Sequence, residues 1–222
     1  MMITKYKKGF TLLELLIVIG ILAILASIAI FVLNPAETLR EARDVQRVSD
    51  LSTMKTAIAL YVTKTTSTPP ALDGGTNTLC KNGSGVDTIY YSYPSDTGGQ
   101  ITDTVLDGGA AGVPTSSQKI NASGTLVTGT GWIPINLASL VGGSPISDMP
   151  RDPTNSISSL SGVASTDLVY RYMCDSGDTT FEINANLESA SIGAREGTDG
   201  GNNASLYEAG TKLLILGSGA DF

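Results

Sequence analysis

The sequence predicts an α+β protein: a long N-terminal helix with an apolar first half, packed by its second half on an antiparallel β-sheet head. Three observations carry this. Residues 15–33 contain no charged side chain and are interrupted only by Gly20 and Ser27. Leu51, Met54, Ile58 and Tyr61 recur at i, i+3, i+7 and i+10, one stripe of a helix, and Val62 widens it. Phe181, Ile183, Ala185 and Leu187 alternate with Glu182, Asn184 and Asn186, as in a strand with one buried and one solvated face.

Composition removes several function classes. The 222 residues suit one domain plus an accessory segment. With no histidine, Ser-His-Asp and Cys-His catalysis and His-ligated metals are excluded. Two cysteines cannot build a structural zinc tetrad or hold an iron–sulfur cluster. A formal charge of −7 gives no electrostatic pull toward nucleic acid.

As a helix, residues 15–33 reach about 28 Å, close to the ~30 Å hydrocarbon core of a bilayer. A helix satisfies its own backbone there, and few soluble helices are apolar on every side. Lys5, Lys7 and Lys8 precede the run and place the N-terminus in the cytoplasm. Arg40, Arg43 and Arg47 follow it among Glu37, Glu41 and Asp44, and weaken that orientation without reversing it. A secretory signal cut at Ser27-Ile28-Ala29 would leave Ile30, Phe31, Val32 and Leu33 on a soluble product, so the run is expected to be retained.

Glu14 stands at the mouth of this run. A charge at the centre of a bilayer helix costs about 2.5–3.5 kcal/mol and tends to be functional or paired. Thr11-Leu12-Leu13-Glu14 also has the form of a capping box, in which Glu14 would serve an orphan N–H at the helix start. The residues alone leave both accounts standing.

Lys7-Lys8-Gly9-Phe10-Thr11-Leu12-Leu13-Glu14 and the uncharged run behind it resemble the class III signal of type IV pilins and of their secretion-system relatives, the pseudopilins. The resemblance implies a pilin-like α+β fold with a leader at 1–9, a transmembrane and filament-core helix at 10–33, an amphipathic helix at 34–64 and an extracytoplasmic β-rich head at 65–222. It implies cleavage between Gly9 and Phe10 by a membrane peptidase that also methylates the new Phe10 amine. Losing three lysines with the leader takes the formal charge from −7 to −10. A cationic Phe10 amine and an anionic Glu14 then remain in apolar surroundings. In a helical assembly the Glu14 of one subunit would pair with the Phe10 amine of a neighbour, because an unpaired buried charge costs several kcal/mol.

Pro35 cannot donate to the Phe31 carbonyl and biases Asn34 away from helix, so a kink is expected there. Helix resumes from 36 to about 64. Glu37, Arg40, Glu41, Arg43, Asp44 and Arg47 alternate in sign and suggest a solvated or interfacial face. The breakers of 65–70 end the helix, and beyond them 6 Lys+Arg face 16 Asp+Glu. Strand signals lie at 86–93, 132–137, 168–174 and 179–187, the last two as a hairpin around Asp175-Ser176-Gly177-Asp178; 213–216 is a short apolar run, and 94–131 is loop-rich.

Cys80 and Cys174 either pair or remain separate thiols; an extracytoplasmic head favours the pair. Its 94-residue loop contributes about 4–5 kcal/mol in the chain-entropy picture. Asp148-Met149-Pro150-Arg151-Asp152-Pro153, with Tyr170 and Tyr172 later, resembles a signature of major pseudopilins, although Thr154-Asn155 stand where an aromatic residue usually follows. Ordinary Pro/Asp turn chemistry explains the same residues. Those pseudopilins also hold calcium in a C-terminal loop. Asp199, Asn202, Asn203 and Glu208 offer oxygen ligands, but without EF-hand spacing, and an unliganded acidic turn is the simpler account. Asn82, Asn121 and Asn203 open N-x-S triplets, a pattern that chance supplies in a chain rich in Asn and Ser. Trp132 is expected in the core.

The expected function is structural: a subunit of a type IV pilus-like surface filament, inserted first in the cytoplasmic membrane as a single-pass precursor. Expected partners are copies of itself or related pilins, the prepilin peptidase/methyltransferase and an inner-membrane assembly platform, with no nucleic acid. The close alternative is a pseudopilin of a type II secretion system. An alternative of another class is a single-span, membrane-anchored binding protein with an uncut N-terminus. Neither a Gly-x-Ser-x-Gly elbow nor a phosphate-cradling Gly-x-x-x-x-Gly-Lys is present, and an enzyme is not expected.

Overall fold

Thr11 starts the first helix. Its extended backbone and its hydroxyl, which accepts the Glu14 N–H at 3.2 Å, cap α1 (Leu12–Leu33). The computed structural model describes residues 9–84, 87–95, 99–102, 117–121 and 124–217. Lys5, Lys7, Lys8, Val86 and half of the 94–131 stretch lie outside them. Two compact units emerge, Met1–Arg40 and Glu41–Phe222.

α1 ends at Asn34, whose φ of 37° and ψ of 72° place it in the left-handed region that asparagine tolerates as a helix stop. α2 (Pro35–Lys64) begins at the next residue. Proline suits that first position, where its missing N–H would have had no partner, and the Asn34 carbonyl accepts from Glu37 and Thr38 instead.

In the second unit, α2 turns a single stripe inward: Asp44, Arg47, Leu51, Met54, Ala57, Ile58 and Tyr61 are all buried. Each fully buried Leu, Met or Ile in it contributes about 1.5–3 kcal/mol of burial. The sheet beneath consists of β1 (Asp87–Tyr91), β2 (Ser117–Asn121), β3 (Arg171–Asp175), β4 (Thr180–Ala185) and β5 (Tyr207–Gly210), in the order β2-β1-β3-β4-β5. Four strands, β1, β3, β4 and β5, are antiparallel, and β2 runs parallel to β1 at the edge. Tyr90, Tyr172, Cys174, Phe181, Ile183 and Ala209 share the sheet's first face and form one core with the α2 stripe, Trp132, Ile133 and Ile135. Ile89, Tyr91 and Met173 on the second face pack with Val163, Val169, Leu206, Ile215 and Leu216. A disulfide joins Cys80 to Cys174, the first residue of that pair lying just before β1 and the second on β3. A single 3₁₀ turn, Leu137–Ser139, and a one-turn helix, α3 (Ala190–Gly193), complete the named elements.

Several local expectations are overturned. Residues 132–137 form no strand: Pro134 lacks an N–H, Trp132, Ile133, Ile135 and Leu137 are all buried, and only an isolated bridge, Thr128 to Asn136, touches the segment. Residues 213–216 are irregular because the Ile215 and Leu216 N–H groups donate to the Glu182 carboxylate, at 2.8 and 3.0 Å, instead of to a ladder. β5 and β2 carry no alternation of their own. The alternation in β4 is real, but Glu182 and Asn184 do not face solvent. Both are fully buried, since the C-terminal segment covers that face. Asp44 and Arg47, read as part of a solvated charge pattern, are fully buried as well.

Candidate functional site

Two regions hold residues that the sequence singled out. At the N-terminus, Phe10 and Leu12 are each 83 % exposed, and Glu14 is exposed one turn inside α1. The stretch Leu12–Ile30 has mean hydropathy 2.8, and none of it is buried against the rest of the chain. Its 19 residues reach about 28 Å, the length of one bilayer crossing. Ser27, the single hydroxyl of the run, returns its proton to the Ile24 carbonyl at 2.8 Å and so adds little polarity. α1 is therefore apolar on every side apart from the self-bonded Ser27, with its one charge, Glu14, and its cap, Thr11, gathered at its start. Such a surface requires lipid or other protein around it.

The head's polar centre lies where α2 meets the loops. Arg47 forms a bidentate pair with Asp152, Nε to Oδ2 at 2.6 Å and Nη2 to Oδ1 at 3.0 Å. Its Nη1 also reaches Asp44 at 2.8 Å and Glu188 at 3.2 Å, and Arg43 donates to Glu188 at 2.6 Å. Asp44 accepts the backbone N–H groups of Glu188 and Ser189 and so ties the segment before α3 to α2. Burial opposes the charge of Arg47, but Asp152 and Asp44 hold its guanidinium above its usual value. Burial likewise opposes the charge of Asp44, yet the Ser189 hydroxyl, the two N–H groups and Arg47 hold the carboxyl below its usual value.

This network gives the Asp148–Pro153 motif a position. Besides pairing with Arg47, Asp152 accepts the N–H groups of Thr154 and Asn155, at 2.8 and 3.1 Å. The Pro150 carbonyl accepts the indole N–H of the buried Trp132 at 2.8 Å. Tyr170 donates to Asp50 and Tyr172 to the Leu72 carbonyl, each at 2.9 Å. The motif is thus a hub that fastens α2 to the sheet. Sequence reading missed its partner Arg47, although the 44–47–51–54–58–61 spacing, extended backwards from Leu51, runs through it.

The candidate calcium ligands are brought together only in part. The Asp199 oxygens accept the Gly201 and Glu208 N–H groups, and Asn203 Oδ1 accepts the Ser205 N–H, so these two residues shape their turn. Asn202 and Glu208 do converge: the Asn202 side-chain amide lies 3.1 Å from Glu208 Oε1. Among the described residues no group of three or more His, Cys, Asp or Glu side chains is placed to hold a metal ion. Of the N-x-S asparagines, Asn203 is buried and Asn82 is exposed with its amide on Asp175; the side chain of Asn121 lies outside what is described.

Residues 4–30 match the family model of the prokaryotic N-terminal methylation motif, a span that takes in Gly9, Phe10, Glu14 and most of α1. No curated protein and no solved structure matches the chain. The motif implies processing by a prepilin peptidase, and the α+β architecture with its apolar first helix is consistent with a pilin-like fold. The matched motif supports a type IV pilin-like class III signal at the N-terminus and, with it, a prepilin-type protein.

Proposed function

We propose that the protein is a structural subunit of a type IV pilus-like surface filament. Its leader, residues 1–9, is cut after Gly9, the Phe10 amine is methylated, and α1 serves first as a membrane anchor and then as the filament core. The observation that carries this reading is that none of Leu12–Ile30 is buried against the described residues. A cut before Phe10 keeps that surface on the mature chain, where only lipid or neighbouring subunits can cover it. Glu14, at the start of the same surface, is then the natural partner of a neighbour's Phe10 amine. Pairing the two avoids an isolated charge in an apolar interior, which costs several kcal/mol. The disulfide suits an extracytoplasmic head.

The pseudopilin reading retains one specific support: Asp152 and Tyr170, residues of the resembling motif, bind α2 through Arg47 and Asp50. Both readings share the same processing. N-terminal sequencing and mass measurement of sheared surface material test it. A chain beginning at methylated Phe10 within a polymer is expected. A leader still attached to a chain that never multimerises overturns the filament reading and favours a monomeric, membrane-anchored binding protein.

A further inference from the structure

Beyond β5 the chain is held in a different way. The Thr211 and Lys212 N–H groups both donate to the Phe181 carbonyl, at 3.0 and 3.4 Å, and these are its last main-chain bonds to β4. From Leu213 to Gly217, among the described residues, the main chain bonds to side chains alone. Glu182 Oε2 accepts the Ile215 and Leu216 N–H groups at 2.8 and 3.0 Å. Lys81 Nζ donates to the Leu214 and Ile215 carbonyls at 3.3 and 2.9 Å. The Asn202 amide reaches the Leu213 carbonyl at 3.2 Å, and the Asn203 amide reaches the Gly217 carbonyl at 3.4 Å. One anion from β4 and one cation from the chain just before β1 thus grip consecutive peptide groups of the same short segment.

Such a hold is weaker than a ladder. β3 and β4 share five register pairs and β4 and β5 share four, whereas residues 213–217 share none. The apolar hold is equally short. Ile215 and Leu216 are each 1 % exposed and pack with Ile89, Tyr91 and Met173, while Leu214 is 60 % exposed. Val163, Val169 and Leu206 keep their places in that cluster without them. The bed itself gains from water, because Glu182 Oε1 is buried without a hydrogen-bond partner and recovers hydration when its cover lifts. Segments with few buried apolar side chains and no ladder open at less cost than the whole domain.

We propose that residues 213–217 form a strap that opens as one unit while the five-stranded sheet stays folded, with Lys81 and Glu182 as its clasp. Both ends of the device are anchored. The Lys212 ammonium lies 2.8 Å from Asp175 and from Asp178 and pins the pivot after β5. The main chain of Lys81 is tied to β3, donating to the Cys174 carbonyl at 2.8 Å and accepting from the Ser176 N–H at 2.9 Å, so its side chain alone lets go. Opening uncovers the Ile89, Tyr91 and Met173 side of the sheet together with the Glu182 carboxylate, and closing hides both. The clasp touches only main-chain groups of the strap, so it fixes position and leaves the seating to Ile215 and Leu216. The device belongs to the head and operates whether or not the chain polymerises.

The test is hydrogen exchange of the full chain in detergent micelles, read residue by residue by mass spectrometry with electron-transfer fragmentation. After correction for intrinsic rates, the Ile215 and Leu216 amides should exchange at least about tenfold faster than those of β3 and β4, as an opening short of global unfolding requires. Lys81→Met removes the cationic donor and keeps the main-chain bonds of residue 81. It should speed exchange at Ile215 and Leu216 by about tenfold more, the loss expected for hydrogen bonds made by a charged group, and leave β3 and β4 as they were. Lys81→Arg keeps a cationic donor and should restore most of the protection. Ile215→Ala should loosen the strap in the same selective way, and it carries the test should Lys81→Met fail to fold. Lys55→Met, at an exposed lysine of α2, should change neither region. Strap and sheet amides exchanging at one rate in the parent chain would show that the segment leaves only with the whole head, and would overturn the proposal. Equal acceleration of strap and sheet by Lys81→Met, no acceleration of the strap by it, or acceleration of the strap by Lys55→Met would overturn it as well.

Discussion

α1 and α2 follow one another at Asn34 yet meet opposite requirements. α1 buries none of Leu12–Ile30 within the chain, whereas α2 turns a stripe from Asp44 to Tyr61 into the head's own core. The apolar residues of α2 are matched by partners the chain supplies; those of Leu12–Ile30 are buried by none of the described residues. Substitutions in α1 should therefore appear in insertion and assembly while the head stays folded. Substitutions in the α2 stripe should appear as lost stability before any effect on assembly.

The sharpest separation is expected at Glu14. Glu14→Leu should leave cleavage at Gly9 and membrane insertion intact, and leave the unfolding midpoint of the head unchanged, while filaments disappear altogether. Immunoblotting for the processed chain alongside electron microscopy of sheared material reads both halves. Normal filaments from this variant would remove the ion-pair account, and an unstable head would break the separation between the two helices.

In α2 the counterpart is Arg47. Arg47→Leu leaves Asp44 and Asp152 buried without their cation, and removing one member of such a pair costs about 3–5 kcal/mol. Denaturant unfolding followed by the fluorescence of the buried Trp132 should show a loss of this size, with membrane insertion of the precursor unaffected. Next comes the disulfide. Replacing Cys80 and Cys174 together with Ala should lower stability by about 2–5 kcal/mol, measured in the same way. Both effects belong to the head, and neither should alter where the leader is cut.

The same contrast explains what could be read from the residues. α1 and its signal are contiguous, so eight neighbouring residues and an uncharged run identify them. Leu51 to Tyr61 and Phe181 to Ala185 are legible because one buried face imposes a period of 3.6 or 2. Arg47 and Asp44 were not, because the groups that compensate them, Asp152 and the N–H groups of Glu188 and Ser189, arrive from more than a hundred residues away. Glu182 and Asn184 alternate as outward residues do, yet Leu206, Ile215 and Leu216 cover that face of the sheet. β5 is a strand only because β4 offers it a register, Glu182 to Ala185 against Tyr207 to Gly210. Alternation reports which residues lie on opposite faces, and it cannot report that a later segment will cover the polar one.

The smallest expected effect tests whether α2 tunes its carboxylates one by one. Asp44 and Asp50 stand less than two turns apart on the helix, and their carboxyl groups are shifted in opposite directions from 3.8. At Asp50 burial raises the value and Asp152 adds to it, while the Tyr170 hydroxyl offsets only part. At Asp44 the hydrogen bonds outweigh burial. The linkage signs follow. Asp44, with its folded value depressed, contributes stability above the ordinary carboxylate range, and that contribution is lost as pH falls through the folded value. Asp50, with its folded value raised, binds its proton more tightly in the folded state, so its charge costs stability as pH rises through the folded value. Asp44→Asn should accordingly weaken the protein near neutrality and flatten its loss of stability in acid. Asp50→Asn should be neutral to slightly stabilising near neutrality, by under about 1 kcal/mol given that the amide oxygen can still accept from Tyr170, and that advantage should vanish in acid. Unfolding measured across the acidic range for the two variants distinguishes them by sign, which is a firmer test than size at this scale. If both variants lost stability to the same degree at every pH, the two carboxylates would be equivalent, and neither would owe anything to the particular partners that Asp152, Ser189 and Tyr170 provide.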